Sequence, residues 1–221
     1  MTSDPHRNQP VLTIGQKLAD AAGAVILLHG RGGTAEDILA VSHEFDHPEV
    51  AYFAPQAAGS SWYPYSFLAP IEQNEPALTS ALNRVEDLIA DISRAGIGRE
   101  RIVIAGFSQG ACLASEFVAR HAARYGALIA LSGGLIGPPG TKFRYDGKLG
   151  GMPAFFAGVD PDPHVPWQRV RESAAVVSAL GAEVLVRRYP GMPHTINQAE
   201  IKEARTLLVR AFHASNAAMA N

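Results

Sequence analysis

The stretch from Arg101 to Ala114 constrains this chain more than any other. Ile102-Val103-Ile104-Ala105 is a short apolar run rich in β-branched residues, and Ala111-Cys112-Leu113-Ala114 is a helix-forming run. Between them stands Gly106-Phe107-Ser108-Gln109-Gly110. The pattern reads as a buried strand, a sharp turn and a helix. Gly106-x-Ser108-x-Gly110 fits G-x-S-x-G in the strand-then-helix setting that gives this pattern meaning. Such a turn forces the serine into strained backbone geometry while neighbouring segments pass close to it. Glycine two residues to either side removes the Cβ atoms that would clash. The serine hydroxyl is then lifted above the carboxyl edge of a parallel sheet. An ordinary strand–loop–helix turn is the competing reading, and partners for Ser108 elsewhere decide between them.

The remaining chain alternates strands with helices. Ala24–Leu28 is a continuous apolar run, the signature of a strand buried on both faces. It ends in His29-Gly30-Arg31-Gly32-Gly33, after which Thr34-x-x-Asp37 has the spacing of a capping box. Val11–Ile14 suits a short edge strand, and Val50–Ala54, Gly126–Ser132, Pro153–Gly158 and Glu183–Tyr189 suit further strands. Leu78, Leu82, Val85, Ile89 and Ile92 recur at three- and four-residue steps, which predicts a helix over about 75–95. Helices are also expected over about 167–180 and 198–213. Strands alternating with helices imply right-handed βαβ units and a mostly parallel central sheet with helices on both faces. No repeat, linker or composition break divides the 221 residues, so one α/β domain is expected, with flexible ends at 1–10 and 214–221.

Composition narrows the partners. A net charge of −2 with no long basic run excludes nucleic acid and an anionic membrane surface as natural partners, leaving a small, fairly neutral molecule. The single cysteine, Cys112, excludes a disulfide framework and a cysteine-rich metal site, and its place in the helix suits buried packing. No cofactor or metal is called for. Met1 to Pro10 is polar, with no apolar core of a secretion signal, and no apolar run approaches the ~20 residues of a membrane span. A cytoplasmic protein is the expectation, and association into a homodimer is compatible with the sequence.

In such a sheet, ligands sit beyond the carboxyl ends of the strands. The polar residues just past predicted strand ends are few: His29 to Arg31, Ser108, Asp160, Asp162 and His194. A serine hydroxyl is a poor nucleophile near neutrality, so it needs a base in hydrogen-bond reach. That base needs a carboxylate to fix its tautomer. Among the eight histidines, His194 fits best. His6 and His213 lie near the ends, and His43, His47 and His121 fall on or beside helices. His164 follows a candidate acid too closely to receive its hydrogen bond. Asp162 is the preferred acid and Asp160 the alternative, since an Asp-Pro pair also serves simply to turn a loop. Ser108, Asp162 and His194 follow the order serine, acid, histidine. An oxyanion needs two fixed N–H donors. The backbone amides of Gln109, at a helix start, and Arg31, in the glycine-rich turn, are the expected pair. A phosphate-binding loop is the alternative for that turn, but it lacks G-x-G-x-x-G and the P-loop lysine.

Four stretches together carry a more specific resemblance. His29-Gly30-Arg31-Gly32-Gly33, Gly106-Phe107-Ser108-Gln109-Gly110, Asp162-Pro163-His164-Val165-Pro166 and Met192-Pro193-His194 resemble the phospholipase/carboxylesterase family of α/β-hydrolases, which includes acyl-protein thioesterases and small bacterial carboxylesterases. The resemblance runs over roughly residues 11–213. It implies an α/β-hydrolase fold with no large lid domain, Ser108, Asp162 and His194 as catalytic triad, and the Arg31 and Gln109 amides as oxyanion hole. Asp-Pro-x-Val-Pro is what favours Asp162 over Asp160. Thioesterase members carry leucine where this chain has Arg31, so the bacterial carboxylesterase branch is the nearer likeness.

The expected activity is that of a serine carboxylesterase acting on small to medium acyl esters through an acyl-enzyme. Acyl thioesterase or lysophospholipase activity with the same machinery is the alternative. A silent hydrolase fold that only binds ligand is a third reading, against which the intact Ser108, Asp162 and His194 speak. No stretch is long enough for a lid domain, which argues against an interfacial lipase. The loops 55–73 and 133–151 are expected to wall an acyl pocket, with Trp62, Tyr63, Phe67, Leu135 and Met192 as lining residues.

Overall fold

The structure is a computed structural model that describes the backbone of residues 4–218 and the side chains of residues 4–212. Its strands are β1 (Val11–Gly15), β2 (Gly23–Leu28), β3 (Val50–Pro55), β4 (Ile102–Phe107), β5 (Ala127–Leu131), β6 (Pro153–Asp160) and β7 (Glu183–Pro190). Its helices are α1 (Ala35–Ala40), α2 (Ile71–Asn74), α3 (Ala77–Arg94), α4 (Gln109–Arg120), α5 (Trp167–Ala179) and α6 (Gln198–Ala218). The sheet order is β1-β3-β2-β4-β5-β6-β7. Only β1 runs antiparallel, pairing Val11 with Pro55 and Gly15 with Ala51 at the edge of β3.

Alternation along the central strands divides the core in two. Ala24, Ile26 and Leu28 of β2 and Ile102 and Ile104 of β4 face one layer, where α3, α4 and α5 pack. Val25, Leu27, Val103 and Ala105 face the other, where α1 and α6 pack. Residues of β2 and β4 are thus buried on both sides, as their unbroken apolar runs require. The wide apolar stripe of α3 is wholly committed, with Leu78, Leu82, Val85, Ile89 and Ile92 all buried. Thr34 and Asp37 close the predicted capping box at the start of α1. That helix lasts six residues before tightening into a 3-10 turn over Val41–Glu44.

Two expectations about the ends need correction. Segment 4–10 is not a free tail. His6 is 1% exposed and sandwiched on the fold. Its Nε2 donates to the Trp62 carbonyl (2.9 Å), while its Nδ1 accepts the Ala58 N–H (3.0 Å). Ser80 Oγ also accepts the His6 N–H (3.0 Å). A polar composition hid this, because what anchors the segment is hydrogen bonding: by His6, by Arg84 donating to the Gln9 carbonyl (2.8 Å) and by the Gln56 N–H donating to the Pro10 carbonyl (2.9 Å). At the other end, α6 continues to Ala218 rather than stopping near residue 213. Residues 219–221 and the His213 side chain lie outside the described residues. Among the described residues, no helix is long and apolar enough to cross a membrane.

Candidate active site

The turn between β4 and α4 is as sharp as its glycines demand. Ser108 stands at φ 54°, ψ −118°, in a region that non-glycine residues rarely enter. A Cβ on Gly106 would lie 2.4 Å from the Gly110 carbonyl, and one on Gly110 would lie 2.1 Å from the Leu28 carbonyl oxygen. Both positions therefore admit no side chain. The strain is held by the Ser108 N–H donating to Leu131 of the next strand (2.9 Å), and by the Cys112 N–H donating to the Ser108 carbonyl (3.0 Å).

Two residues remote in sequence line up behind this hydroxyl. His194 Nε2 lies 2.9 Å from Ser108 Oγ, and His194 Nδ1 lies 2.7 Å from Asp162 Oδ2. With Nδ1–H donating to the carboxylate, Nε2 is left as acceptor for the serine proton. The Asp162 side chain is completely buried and His194 is 15% exposed. The second oxygen of Asp162 accepts two backbone N–H groups, from His164 (2.7 Å) and Val165 (3.0 Å). Asp-Pro-x-Val-Pro is thus a loop that wraps its own carboxylate and fixes it for His194. Asp160, the alternative acid, pairs instead with Arg188 on the far edge. The His164 imidazole does not bond Asp162. It packs edge-on against His194, with ring centroids 5.0 Å apart.

A cavity of about 630 Å³ opens over the serine. Gly30, Arg31, Ser108 and Gln109 form one side of it, Tyr63 to Phe67 another, and Pro163 to Val165 with His194 a third. Arg31 and Gln109 both border it, and among the described residues no acceptor engages either backbone amide. An amide at a helix start and one in a glycine turn, both on residues that line the cavity with Ser108 and both without a protein acceptor, suit a developing oxyanion.

The side chains of these two residues do something the sequence reading missed. Gln109 Oε1 accepts the Trp62 N–H (3.0 Å) and its Nε2 donates to the Tyr63 carbonyl (2.8 Å). The Arg31 guanidinium donates to Ser61 Oγ (3.0 Å) and to the carbonyls of Pro64 (2.9 Å) and Tyr65 (2.6 Å). Both side chains clamp loop 55–73 into a wall, so residue types that look incidental in the motifs are fixed by a loop elsewhere. Phe107, the variable position of the elbow, was likewise missed. Its ring lies 5.0 Å from that of His194 and borders the cavity.

Of the five expected lining residues, Tyr63 and Phe67 face the cavity and three do not. Trp62 is fully buried behind the wall, its Nε1–H donating to the His29 carbonyl (2.9 Å) and its ring packed between His6 and His29. Leu135 is also fully buried, with its N–H held by Ser173 Oγ (2.8 Å). Met192 is 41% exposed on the outer surface. Loop 133–151 as a whole contributes nothing to the lining. Arg169 draws it inward by donating to the carbonyls of Leu135 (2.9 Å), Gly137 (2.7 Å) and Pro138 (3.1 Å). The loop then braces the wall from behind, the Gly137 N–H donating to the Phe67 carbonyl (2.8 Å). Cys112 is buried, and burial pushes its thiol up to about 12, so it sits as a neutral thiol at the cavity floor. His29 is a structural residue: Nδ1 donates to the Gly30 carbonyl (2.8 Å) and Nε2 accepts the Ala57 N–H (3.0 Å). Burial lowers its pKa and keeps it neutral. Among the described residues no group of three or more His, Cys, Asp or Glu side chains is arranged to hold a metal ion.

A mostly parallel seven-stranded sheet with a serine on a strained elbow, bonded to a histidine from beyond the last strand, defines an α/β-hydrolase. The chain belongs to the Phospholipase/Carboxylesterase family, whose profile it matches over residues 10–211. It is a serine hydrolase of the esterase and thioesterase type. Its backbone superposes on the crystal structure of a phospholipase/carboxylesterase from Dyadobacter fermentans with a TM-score of 0.88 at 45% identity, covering 91% of this chain and 97% of that one. Acyl-protein thioesterase 1 of Saccharomyces cerevisiae is 29% identical over 70% of this chain and 77% of its own length. Acyl-protein thioesterase 1 of Yarrowia lipolytica is 30% identical over 56% of this chain, and the match spans 62% of that protein, under two thirds of its length.

Proposed function

We propose that the protein is a serine carboxylesterase that cleaves small to medium acyl esters, with Ser108 as nucleophile, His194 as general base and then acid, and Asp162 as the carboxylate that orients it. The carrying observation is the unbroken hydrogen-bonded chain from Ser108 Oγ through His194 to buried Asp162 at the mouth of one cavity. Ser108 Oγ attacks the ester carbonyl carbon as His194 Nε2 removes its proton. The carbonyl oxygen becomes an oxyanion, which the Arg31 and Gln109 amides receive. As the tetrahedral intermediate collapses, His194 returns the proton to the departing alkoxide and the acyl group stays on Ser108. Water, deprotonated by His194, then attacks the acyl-enzyme and releases the acid. The cavity volume of about 630 Å³ suits a substrate of modest size rather than a bulk lipid surface.

Thioester hydrolysis is the second reading, favoured by the thioesterase names of the relatives at 29% and 30% identity. The same machinery serves both leaving groups. Ser108→Ala tests the core of the proposal. Turnover of p-nitrophenyl esters and labelling by a fluorophosphonate probe should both vanish, with the thermal midpoint of the wild type retained. Ester turnover surviving in that variant would sink the assignment. Rates on matched oxygen esters and thioesters of the same acyl chain separate the two readings.

A further inference from the structure

The cavity over Ser108 is lined by ionisable groups of one sign. Arg31, His164 and His194 border it, but no Asp or Glu does, although the chain has 21 acidic residues. Asp162 lies outside the lining, fully buried and already bonded to His194 and to two loop amides. A histidine is neutral or positive, so nothing in this lining opposes the Arg31 charge. The chain's overall charge of −2 therefore misdescribes the surface that a substrate meets.

Arg31 is exposed, and its charge is unbalanced. Its guanidinium donates to Ser61 Oγ (3.0 Å) and to the Pro64 (2.9 Å) and Tyr65 (2.6 Å) carbonyls, all neutral acceptors. Three bonds occupy at most three of its five N–H groups, and Nε makes none of them. Among the described residues no carboxylate forms an ion pair with it. Glu36 and Asp37, the acids nearest in sequence, stand on α1 outside the lining, and Asp37 is spent on the capping box. Arg169 is the contrast. It clamps loop 133–151 through the same kind of bonds to carbonyls, but it is buried and Glu172 balances its charge (3.1 Å). Holding a loop takes donors and does not require an exposed, uncompensated cation beside the cavity. The guanidinium is also positioned before any ligand arrives. Its loop bonds and the Tyr63 ring, 5.9 Å away, hold it, so little side-chain freedom is left to lose on binding.

We infer that Arg31 is a specificity-determining residue whose guanidinium receives a carboxylate of the substrate. The preferred ester is then anionic: the half-ester of a dicarboxylic acid, or an ester whose alcohol bears the carboxylate. This rests on Ser108 being the nucleophile. One residue serves both ends of such a substrate, its backbone amide at the oxyanion and its side chain at the carboxylate. A carboxylate meets a guanidinium through charge-assisted hydrogen bonds in matched planar geometry. A neutral ester gains nothing from the charge, so the discrimination is between esters of the same shape and different charge.

The test uses matched pairs of esters, one member ending in a carboxylate and the other in the neutral carboxamide. One series carries the group on acyl chains of increasing length, the other on the alcohol, which tells the two sources apart. Background hydrolysis in the presence of Ser108→Ala is subtracted, and the quantity read is the ratio of kcat/KM for the anionic member to that for the neutral one. Intrinsic reactivity, and any loosening of the wall, cancel when this ratio is compared between wild type and variant. At one chain length Arg31→Gln should lower the ratio about tenfold, and Arg31→Lys, which keeps the charge, should retain most of it. A ratio that Arg31→Gln leaves unchanged at every length in both series, however far both rates fall, would show that Arg31 only clamps the loop. That result would overturn the inference and leave the esterase reading intact. The wild type gives a check that needs no variant. Its preference for the anionic member should shrink as salt rises from ~0.01 M to ~1 M, because an exposed cation is screened. A ratio indifferent to salt would also overturn the inference. Wild-type protein that turns over neither member of any pair would sink the esterase reading and this inference with it.

Discussion

At the scale of single residues, Asp162 and Gln109 each work through both ends of a planar group. Asp162 uses one oxygen to hold His194 and the other to accept two backbone N–H groups. Asp162→Asn conserves the shape but turns one bond around, placing an amide N–H where His194 Nδ1 needs an acceptor. Its amide oxygen can still accept the loop amides. We expect kcat to fall by about 10³–10⁴ with KM little changed, measured by steady-state ester hydrolysis. An equal fall in stability and activity would mean that the carboxylate only holds the loop. Gln109 is the converse case: its backbone amide has no acceptor among the described residues, while its side chain ties down Trp62 and Tyr63. Gln109→Ala keeps the backbone donor but strands the Trp62 N–H and the Tyr63 carbonyl, at a cost of about 2 kcal/mol. The wall then loosens, so KM should rise more than kcat falls. A collapse of kcat comparable to Ser108→Ala, with KM unchanged, would contradict that division of labour.

At the scale of elements, the strands and the elbow were legible and the loops were not, for a physical reason. A strand buried on both faces announces itself as an apolar run, and the carboxyl ends of two such runs named Ser108 and Asp162, while His194 follows the half-exposed edge strand β7. Loops 55–73 and 133–151 are organised by single polar side chains reaching across the chain to backbone carbonyls, which leaves no local pattern. Arg169 lies 31 to 34 residues from the carbonyls it holds, and Arg31 lies 33 and 34 from two of its own. Aromatic content correctly marked loop 55–73 as ordered, but it did not separate Trp62, packed behind the wall, from Tyr63 on its face. Arg169→Met should therefore act on a loop that never meets substrate. Three carbonyls and Glu172 lose a buried cation, and breaking such an arrangement costs about 2–4 kcal/mol. Urea unfolding should show the loss, and limited proteolysis should find new cleavage within 137–147. Unchanged stability would mean that the loop is held without Arg169, by its apolar residues Leu135, Ile136 and Leu149 and by the Leu135 and Ile136 N–H groups on Ser173 and Glu116.

At the scale of the whole molecule, buried titratable groups pull stability in opposite directions with pH. His6 and His29 flank Trp62 and hold the Ala57 and Ala58 N–H groups through unprotonated nitrogens. Burial lowers both pKa values below the ordinary 6.5. The unfolded chain therefore binds protons more readily at these sites, so their stability is present above 6.5 and is lost as pH falls below it. Glu200, in the first turn of α6, behaves oppositely. Its Oε2 accepts the Asn197 N–H (2.9 Å), but Oε1 is buried with no partner among the described residues. Burial raises its pKa from the ordinary 4.5 to about 7. The folded state keeps that proton where the unfolded chain releases it. Its contribution is full below 4.5 and is lost as pH rises through about 7. In mild acid, then, Glu200 gains stability while the two histidines lose it, and the wild-type profile is flatter than either effect alone. Glu200→Gln separates them, since the amide keeps the acceptor for Asn197 and cannot ionise. Near pH 8 the variant should be more stable than the wild type by up to about 3 kcal/mol. The advantage should shrink toward pH 5, and the variant should decline more steeply in acid because only the histidine effect remains. Urea midpoints at pH 5, 6, 7 and 8 measure both profiles. A difference that stays constant across that range would mean that Glu200 does not change its protonation state on folding.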